Sequence, residues 1–236
     1  MWSGPRNIST AMMRSFGARS DTWVADEPFY AAYLVGSGAD HPMRSESIAS
    51  QPNDWRDVIP GLLADPPHGR TVFYQKHMTH HMLPGFGLDW MKECANAFLI
   101  RDPDLVLASY SAKRVEVRLA DLGFERQFEI FEREADRLGR PPPVIEGADV
   151  LRDPEGTLRK LCAALHIPWT AQMLGWPAGR RETDGVWAPA WYDAVEKSTS
   201  FSPPSVARET SLAGHLRHIS DAARPHYEAL KKHKLA

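Results

Sequence analysis

The first chemistry in this chain lies at its start. In MWSGPRNISTAMMRSF, Gly4 and Pro5 stop a strand, Arg6 brings a fixed positive charge, and Asn7, Ile8, Ser9 and Thr10 lead into an apolar pattern at helical spacing. A tight turn feeding a helix leaves that helix's first amides unpaired, and the helix dipole adds partial positive charge there. Together they form a cradle for phosphate or sulfate. The forked guanidinium of Arg6 and the hydroxyls of Ser9 and Thr10 add donors. An ordinary turn with a capping serine would look similar. The Walker A glycine–lysine pair is missing, which disfavours a nucleotide triphosphatase.

A second group is spelled by RDPDLVLAS. Arg101 ends an apolar run, Asp102 and Pro103 open a helix, and Ser109 falls about two turns into it. Arg101 and Ser109 reach one anionic group if the helix runs back past it. The competing reading pairs Arg101 with Asp102 or Asp104 and packs the serine. A third group, YQKHMTHH, sets Lys76, His77, His80 and His81 directly after an apolar run, and Glu27 follows another in VADEPF.

These residues need elements to position them. TWVAD, TVFYQK, NAFLIR and PPVIEG read as short apolar strands, and Met1 to Ser3 as a strand stub, truncated or missing an upstream part. Helices are expected from about Ser9 to Ala18, over EPFYAAYLVG with Pro28 in the first turn, after Asp102, across LGFERQFEIFEREADRLG, and over DPEGTLRKLCAALHIP up to Pro168. The tail SLAGHLRHISDAARPHYEALKKHKLA reads as helical with a break near Pro225, and residues 37–54 as a polar loop. Alternation of strands and helices predicts an α/β fold: a three-layer sandwich with a mostly parallel central sheet. Ligands bind at the carboxyl ends of such strands, where Arg6, Glu27, Lys76 and Arg101 fall. Residues 1–236 are expected to form one domain, with 170–236 a mainly helical extension.

Three segments in order resemble the sulfotransferase family that uses 3′-phosphoadenosine 5′-phosphosulfate (PAPS), whose fold is P-loop NTPase-like. GPRNIST resembles the 5′-phosphosulfate loop, LIRDPDLVLAS the 3′-phosphate site, and VIEGADVLRDPEGTLRKLCAALHIPW the strand-then-helix segment that follows. The likeness covers roughly the first three quarters of the chain. It implies sulfuryl transfer to a hydroxyl or amine of a small molecule, sugar or lipid head group, with PAP as product and no metal. Cofactor contacts would come from Gly4, Pro5, Arg6, Asn7, Ile8, Ser9, Thr10, Arg101 and Ser109. Arg6 would also stabilise the leaving 5′-phosphate. Bacterial members commonly follow a strand-end lysine four residues later with a histidine, matching Lys76 and His80. Lys76 would stabilise charge on the transferring group, and His80 suits a general base because imidazole titrates near neutrality. His77 and His81 are neighbouring candidates. Glu27 resembles the glutamate–proline step of carbohydrate sulfotransferases and is a second candidate base; a carboxylate placed there for the helix dipole is an equal alternative. Many members have glycine where this chain has Ile8. A β-branched residue resists positive φ, so a loop of ordinary helical geometry is expected.

In GWPAGRRETDGVWAPAWYDAVEKSTSF, Arg180 and Arg181 could close over the 3′-phosphate, with Trp187 or Trp191 against adenine or acceptor; a surface loop with packed tryptophans is the preferred reading. Tyr110 and Tyr192 suggest no role. A nucleotide-binding protein without transfer activity and an atypical P-loop kinase remain alternatives.

Composition bounds the rest. A net charge of -2 argues against bulk nucleic-acid binding, so any positive site must be local. Cys94 and Cys162 are too far apart for a metal motif and read as buried free thiols. No apolar run reaches membrane-span length and no signal pattern precedes Gly4, so a cytoplasmic protein is expected.

Overall fold

The computed structural model describes residues 1–114, 116–202 and 212–235. Five strands, β1 (Trp2–Ser3), β2 (Thr22–Asp26), β3 (Val72–Met78), β4 (Phe98–Ile100) and β5 (Val144–Glu146), form one sheet in the order β2-β3-β1-β4-β5. Every neighbouring pair is parallel. The two-residue β1 is the central strand, with Trp2 paired to His77 on one side and Phe98 on the other. It can be this short because it is buried on both faces, Trp2 and Ser3 both at 0% exposure.

Side chains alternate across the sheet, so each strand feeds two cores. Phe98, Ile100 and Val144 face one layer, and Leu99 and Ile145 the other. The first layer holds α5 (Pro103–Ser111), α6 (Leu119–Leu122), α7 (Phe124–Leu138) and α12 (Gly214–Lys231). The second holds α1 (Ser9–Gly17), α2 (Tyr30–Ser37) and α9 (Pro154–Ala164). Short helices α3 (Arg44–Ser50), α4 (Trp55–Leu63), α8 (Gly147–Arg152), α10 (Ala188–Trp191) and α11 (Asp193–Glu196) complete the chain.

Several expectations need correction. Residues 37–54 are not one loop, because they contain α3, and Asp54 caps α4 by accepting from the Arg56 amide. The α3 turn is held by Ser47 Oγ donating to the Met43 carbonyl and by Arg44 reaching back to the carbonyls of Leu34 and Ala39. Pro28 lies before α2 rather than in its first turn. The Glu27 amide still donates to the Lys76 carbonyl, so the chain leaves the sheet one turn later than expected.

The amphipathic helix expected across LGFERQFEIFEREADRLG forms as α7 but starts only after Gly123, which has φ 68 and separates it from α6. A Cβ there would lie 2.5 Å from Thr79 Oγ1 and 2.9 Å from the His80 amide. This glycine lets α7 sit against the turn Thr79–His81, and Thr79 Oγ1 donates to the Gly123 carbonyl at 3.0 Å. The tail helix α12 runs unbroken through Pro225. The bond to the Asp221 carbonyl is lost, yet Leu216, Ile219, Ala223, Tyr227 and Leu230 are all buried in the first core, and that packing outweighs the local cost. The helix expected up to Pro168 ends at Ala164, with His166 at φ 56. Cys162 is buried but Cys94 only half-buried, and both are free.

Candidate functional site

A cleft of about 1130 Å³ opens at the carboxyl ends of the strands. Pro5, Arg6, Asn7, Ile8, Ser9 and Thr10 form one wall with Arg101 and Ser109, and Glu27, Lys76, His80 and His81 line another part. Two sequence candidates stand outside it. Gly4 is buried behind the wall, where a Cβ would lie 2.6 Å from the Leu122 carbonyl oxygen, so its role is close packing. His77 is buried on the far side of β3, stacked on Trp2 at 4.5 Å.

The first loop takes a different shape from the one expected. Arg6 has φ 62 and Ile8 has φ 57, both left-handed. For a β-branched residue that geometry costs about 1–2 kcal/mol. Ile8 packs beside Gly147 at the start of α8 and against the second core, and that contact helps hold the strained turn. The turn aims the start of α1 at the cleft. No side chain caps α1, and its first bonded amide is that of Met12 to the Ile8 carbonyl. Ser9, Thr10 and Ala11 line the cleft, and as the first residues of the helix their amides have no helical partner.

The guanidinium of Arg6 is oriented by Ser109, whose Oγ accepts from Arg6 Nε at 2.9 Å. Arg101 Nη1 donates to the Arg6 carbonyl at 2.5 Å. The two cations are thus locked beside each other. Burial lowers the proton affinity of Arg6, and burial followed by the Arg6 charge lowers that of Arg101. Neither makes an ion pair among the described residues. The pairing of Arg101 with Asp102 or Asp104, weighed from the sequence, does not occur. Asp102 accepts from Arg224 at 3.2 Å, while Asp104 accepts from Arg217 and Arg224, each at 3.1 Å, and from Ser220. Two partly buried guanidiniums without an ion-pair partner among the described residues thus stand beside an uncapped helix start, an arrangement that favours an anion.

The second cluster centres on Lys76. Its ammonium donates to Asp26 Oδ1 at 2.9 Å, Glu27 Oε1 at 2.6 Å and the Tyr192 hydroxyl at 2.7 Å. All three protons are committed, and the side chain is 1% exposed. Burial pulls its proton affinity down, but the charges of Asp26 and Glu27 win and raise it. Glu27 shows 12% of its side chain to solvent. Burial raises its pKa, Lys76 opposes, and the Asp26 charge adds to the rise. The cluster has one cation for two carboxylates, so Glu27 is the one placed to take a proton.

Sequence reasoning missed Asp26 and Tyr192. Tyr192 donates to Asp26, and the Gly185 amide donates to Asp26 Oδ2 at 3.0 Å. A buried ion pair between Arg14 and Asp184 clamps the same segment to α1. Asp26 carried a faint signal as a strand-end acid next to Glu27; Tyr192 carried none. Trp187 is 1% exposed and packs edge-on to Tyr30, while Trp191 reaches the cleft. Arg180 and Arg181 are absent from the cleft lining, and Arg181 donates to backbone carbonyls including that of Gly179.

The histidines form an aromatic group. His81 lies between Tyr30 and Tyr33, each 4.7 Å away, and its Nε2 is 4.0 Å from Glu27 Oε2. His41 meets the Tyr30 hydroxyl at 2.8 Å. Burial pushes His80 down to about 3 and His41 to about 4, and His81 well below its ordinary value. All three are neutral near pH 7. Among the described residues no group of His, Cys, Asp or Glu is placed to hold a metal ion. No described helix is long and apolar enough to cross a membrane.

The α/β fold, with its parallel sheet and cleft at the strand ends, is shared with sulfotransferase domains. The profile of the sulfotransferase-domain family matches residues 1–234, and the chain belongs to that family. A solved structure, the sulfotransferase domain from the curacin biosynthetic pathway, superposes with a TM-score of 0.54 over 94% of this chain and 95% of that one, at 15% identity. Two Arabidopsis thaliana proteins, named branched-chain-amino-acid aminotransferase-like proteins 1 and 2, are each 36% identical over 98% of this chain. The chain spans 41% of the length of those two relatives.

Proposed function

We propose that this chain, acting as one domain over residues 1–236, transfers a sulfuryl group from PAPS to a hydroxyl or amine of a small-molecule acceptor. The observation that supports the proposal is the juxtaposition of Arg6, held by Ser109, and Arg101, held by the Arg6 carbonyl, neither in an ion pair among the described residues, with the open start of α1 in one large cleft. A donor bearing phosphate at two positions needs two such anchors. PAPS, when bound, supplies an already activated sulfuryl group. The amides of α1, Ser9, Thr10 and Arg6 suit its 5′-phosphosulfate, while Arg101 and Ser109 suit the 3′-phosphate. Charge grows on the 5′-phosphate oxygen as the bond to sulfur breaks, so Arg6 gains strength in the transition state.

Glu27 is the better-placed base. Its raised pKa brings it nearer the working pH, which favours proton transfer, whereas His80 at about 3 is a weak acceptor there. Lys76 has no proton left for the transferring group. It fixes the Glu27 carboxylate instead.

Thermal shift with PAP, PAPS, AMP and ATP tests the reading, since a ligand of the native state raises Tm by mass action. PAP and PAPS are expected to raise Tm well above AMP. A magnesium-dependent response to ATP that exceeds PAP would indicate a kinase. PAPS binding without sulfate transfer to any acceptor of a broad alcohol and amine panel would indicate a binding protein.

A further inference from the structure

Arg101 stands beside a charge network that begins at Asp102 on the cleft lining and runs outward to α12. Arg101 is followed by Asp102 and, two residues later, Asp104, so its nearest carboxylates are its own neighbours in sequence. Either could partly neutralise it, and an arginine held by a carboxylate binds phosphate less tightly. In the fold both carboxylates are bound by α12, and only the charge of Asp102, with no ion pair, still acts on Arg101. Arg224 reaches Asp102 at 3.2 Å and Asp104 at 3.1 Å, Arg217 reaches Asp104 at 3.1 Å, and Ser220 donates to Asp104 as well. Arg224 gains from this exchange, its proton affinity being raised by the hydrogen bond to Asp102. Asp102 also caps α5 by accepting from the Asp104 amide at 2.8 Å, so it cannot simply be dispensed with.

We infer that Arg224, more than a hundred residues away in sequence and outside the cleft lining, is a positioning residue for donor specificity: it neutralises Asp102 so that Arg101 stays free for the donor's 3′-phosphate. The inference rests on the reading of the cleft as a PAPS site. The pair is partly exposed, with 35% of the Arg224 side chain and 33% of the Asp102 side chain accessible. Its influence on Arg101 is therefore electrostatic and screened by salt.

Calorimetric titration of the whole chain with PAP and with AMP, which lacks the 3′-phosphate, tests this. Arg224→Gln should weaken PAP about three- to tenfold at low salt while changing AMP less than twofold, and the gap should narrow at 0.5 M salt. Arg224→Lys should restore most of the loss. The decisive variant is Arg224→Gln with Asp102→Asn, which keeps a capping side chain and removes the unmasked charge; PAP affinity should recover. Equal losses for PAP and AMP, or no recovery in the double variant, would overturn the inference and leave Arg224 a structural tie. If the wild-type chain bound neither ligand, the donor reading would fall by itself. Melting of the ligand-free Arg101→Gln and Arg224→Gln variants, single and combined, would then decide. Non-additive Tm changes, with Arg101→Gln more damaging once Arg224 is gone, uphold the charge separation, and additive ones overturn it.

Discussion

Arg6 Nε donates to Ser109 Oγ at 2.9 Å across 103 residues of sequence. The bond uses Nε, and the Nη donors of this cleft-lining residue have no partner among the described residues. Arg6→Ala should therefore lower turnover more than it weakens PAPS binding, because the charge is worth most as the leaving oxygen develops its own. Arg6→Lys should keep partial activity, having the charge without the fork. Single-turnover assays at saturating PAPS separate the two. Unchanged turnover in Arg6→Ala would reduce the loop to an anchor.

Arg101→Ala should weaken PAP by about 1.5–3 kcal/mol, the range for a hydrogen bond to a charged group. A nucleotide without the 3′-phosphate should be barely affected. Titration of both ligands checks it, and equal losses would make Arg101 structural.

Glu27→Gln should cut kcat by roughly 10²–10⁴ with donor affinity nearly intact, the usual worth of a general base. Its pKa is raised by burial, so activity should fall on the acid side at a pH above the ordinary carboxylate range. His80→Ala should leave that acid limb where it is. A limb that moves with His80 and not with Glu27 would transfer the role to the histidine.

The same histidines should mark stability. His80 and His41 are lowered from 6.5 to about 3 and about 4, so the unfolded chain binds more protons than the folded one below pH 6.5. Their contribution is complete above 6.5 and is lost as pH falls towards 4 and 3. Tm measured from pH 7.5 to 4.5 should decline on the acid side. Replacing both by Gln should flatten that decline, and an unchanged slope would assign it to other groups.

Ile8→Pro should abolish PAP binding, because proline fixes φ near −65° where the loop needs 57°. Ile8→Gly should bind PAP nearly as well as wild type, since glycine takes the left-handed turn freely. Titration of both variants distinguishes a backbone requirement from a side-chain contact. Binding retained in the proline variant would show that the turn can be rebuilt.

Much of this was legible from local patterns. Short β-branched and apolar runs separated by helical periodicity dictate a parallel sheet, because such runs must be covered on both faces. A glycine and a proline ahead of small hydroxyls mark a turn and the start of α1, because such residues stop a strand and the helix takes up after them. Asp102 before Pro103 dictates where α5 begins. Other features depend on contacts between distant segments. Local propensity breaks a helix at Pro225, and the burial of Tyr227 and Leu230 against α5 and α7 carries it through. Ile8 argued against a left-handed turn, and its packing beside Gly147 sustains one. Lys76 looked like a free cation until the fold surrounded it with Asp26, Glu27 and Tyr192, the last 116 residues away. Arg101 looked able to pair with its own neighbours until α12 claimed them. Charge state and free valence belong to a three-dimensional neighbourhood, and no spacing along the chain encodes which distant side chain reaches a given carboxylate first.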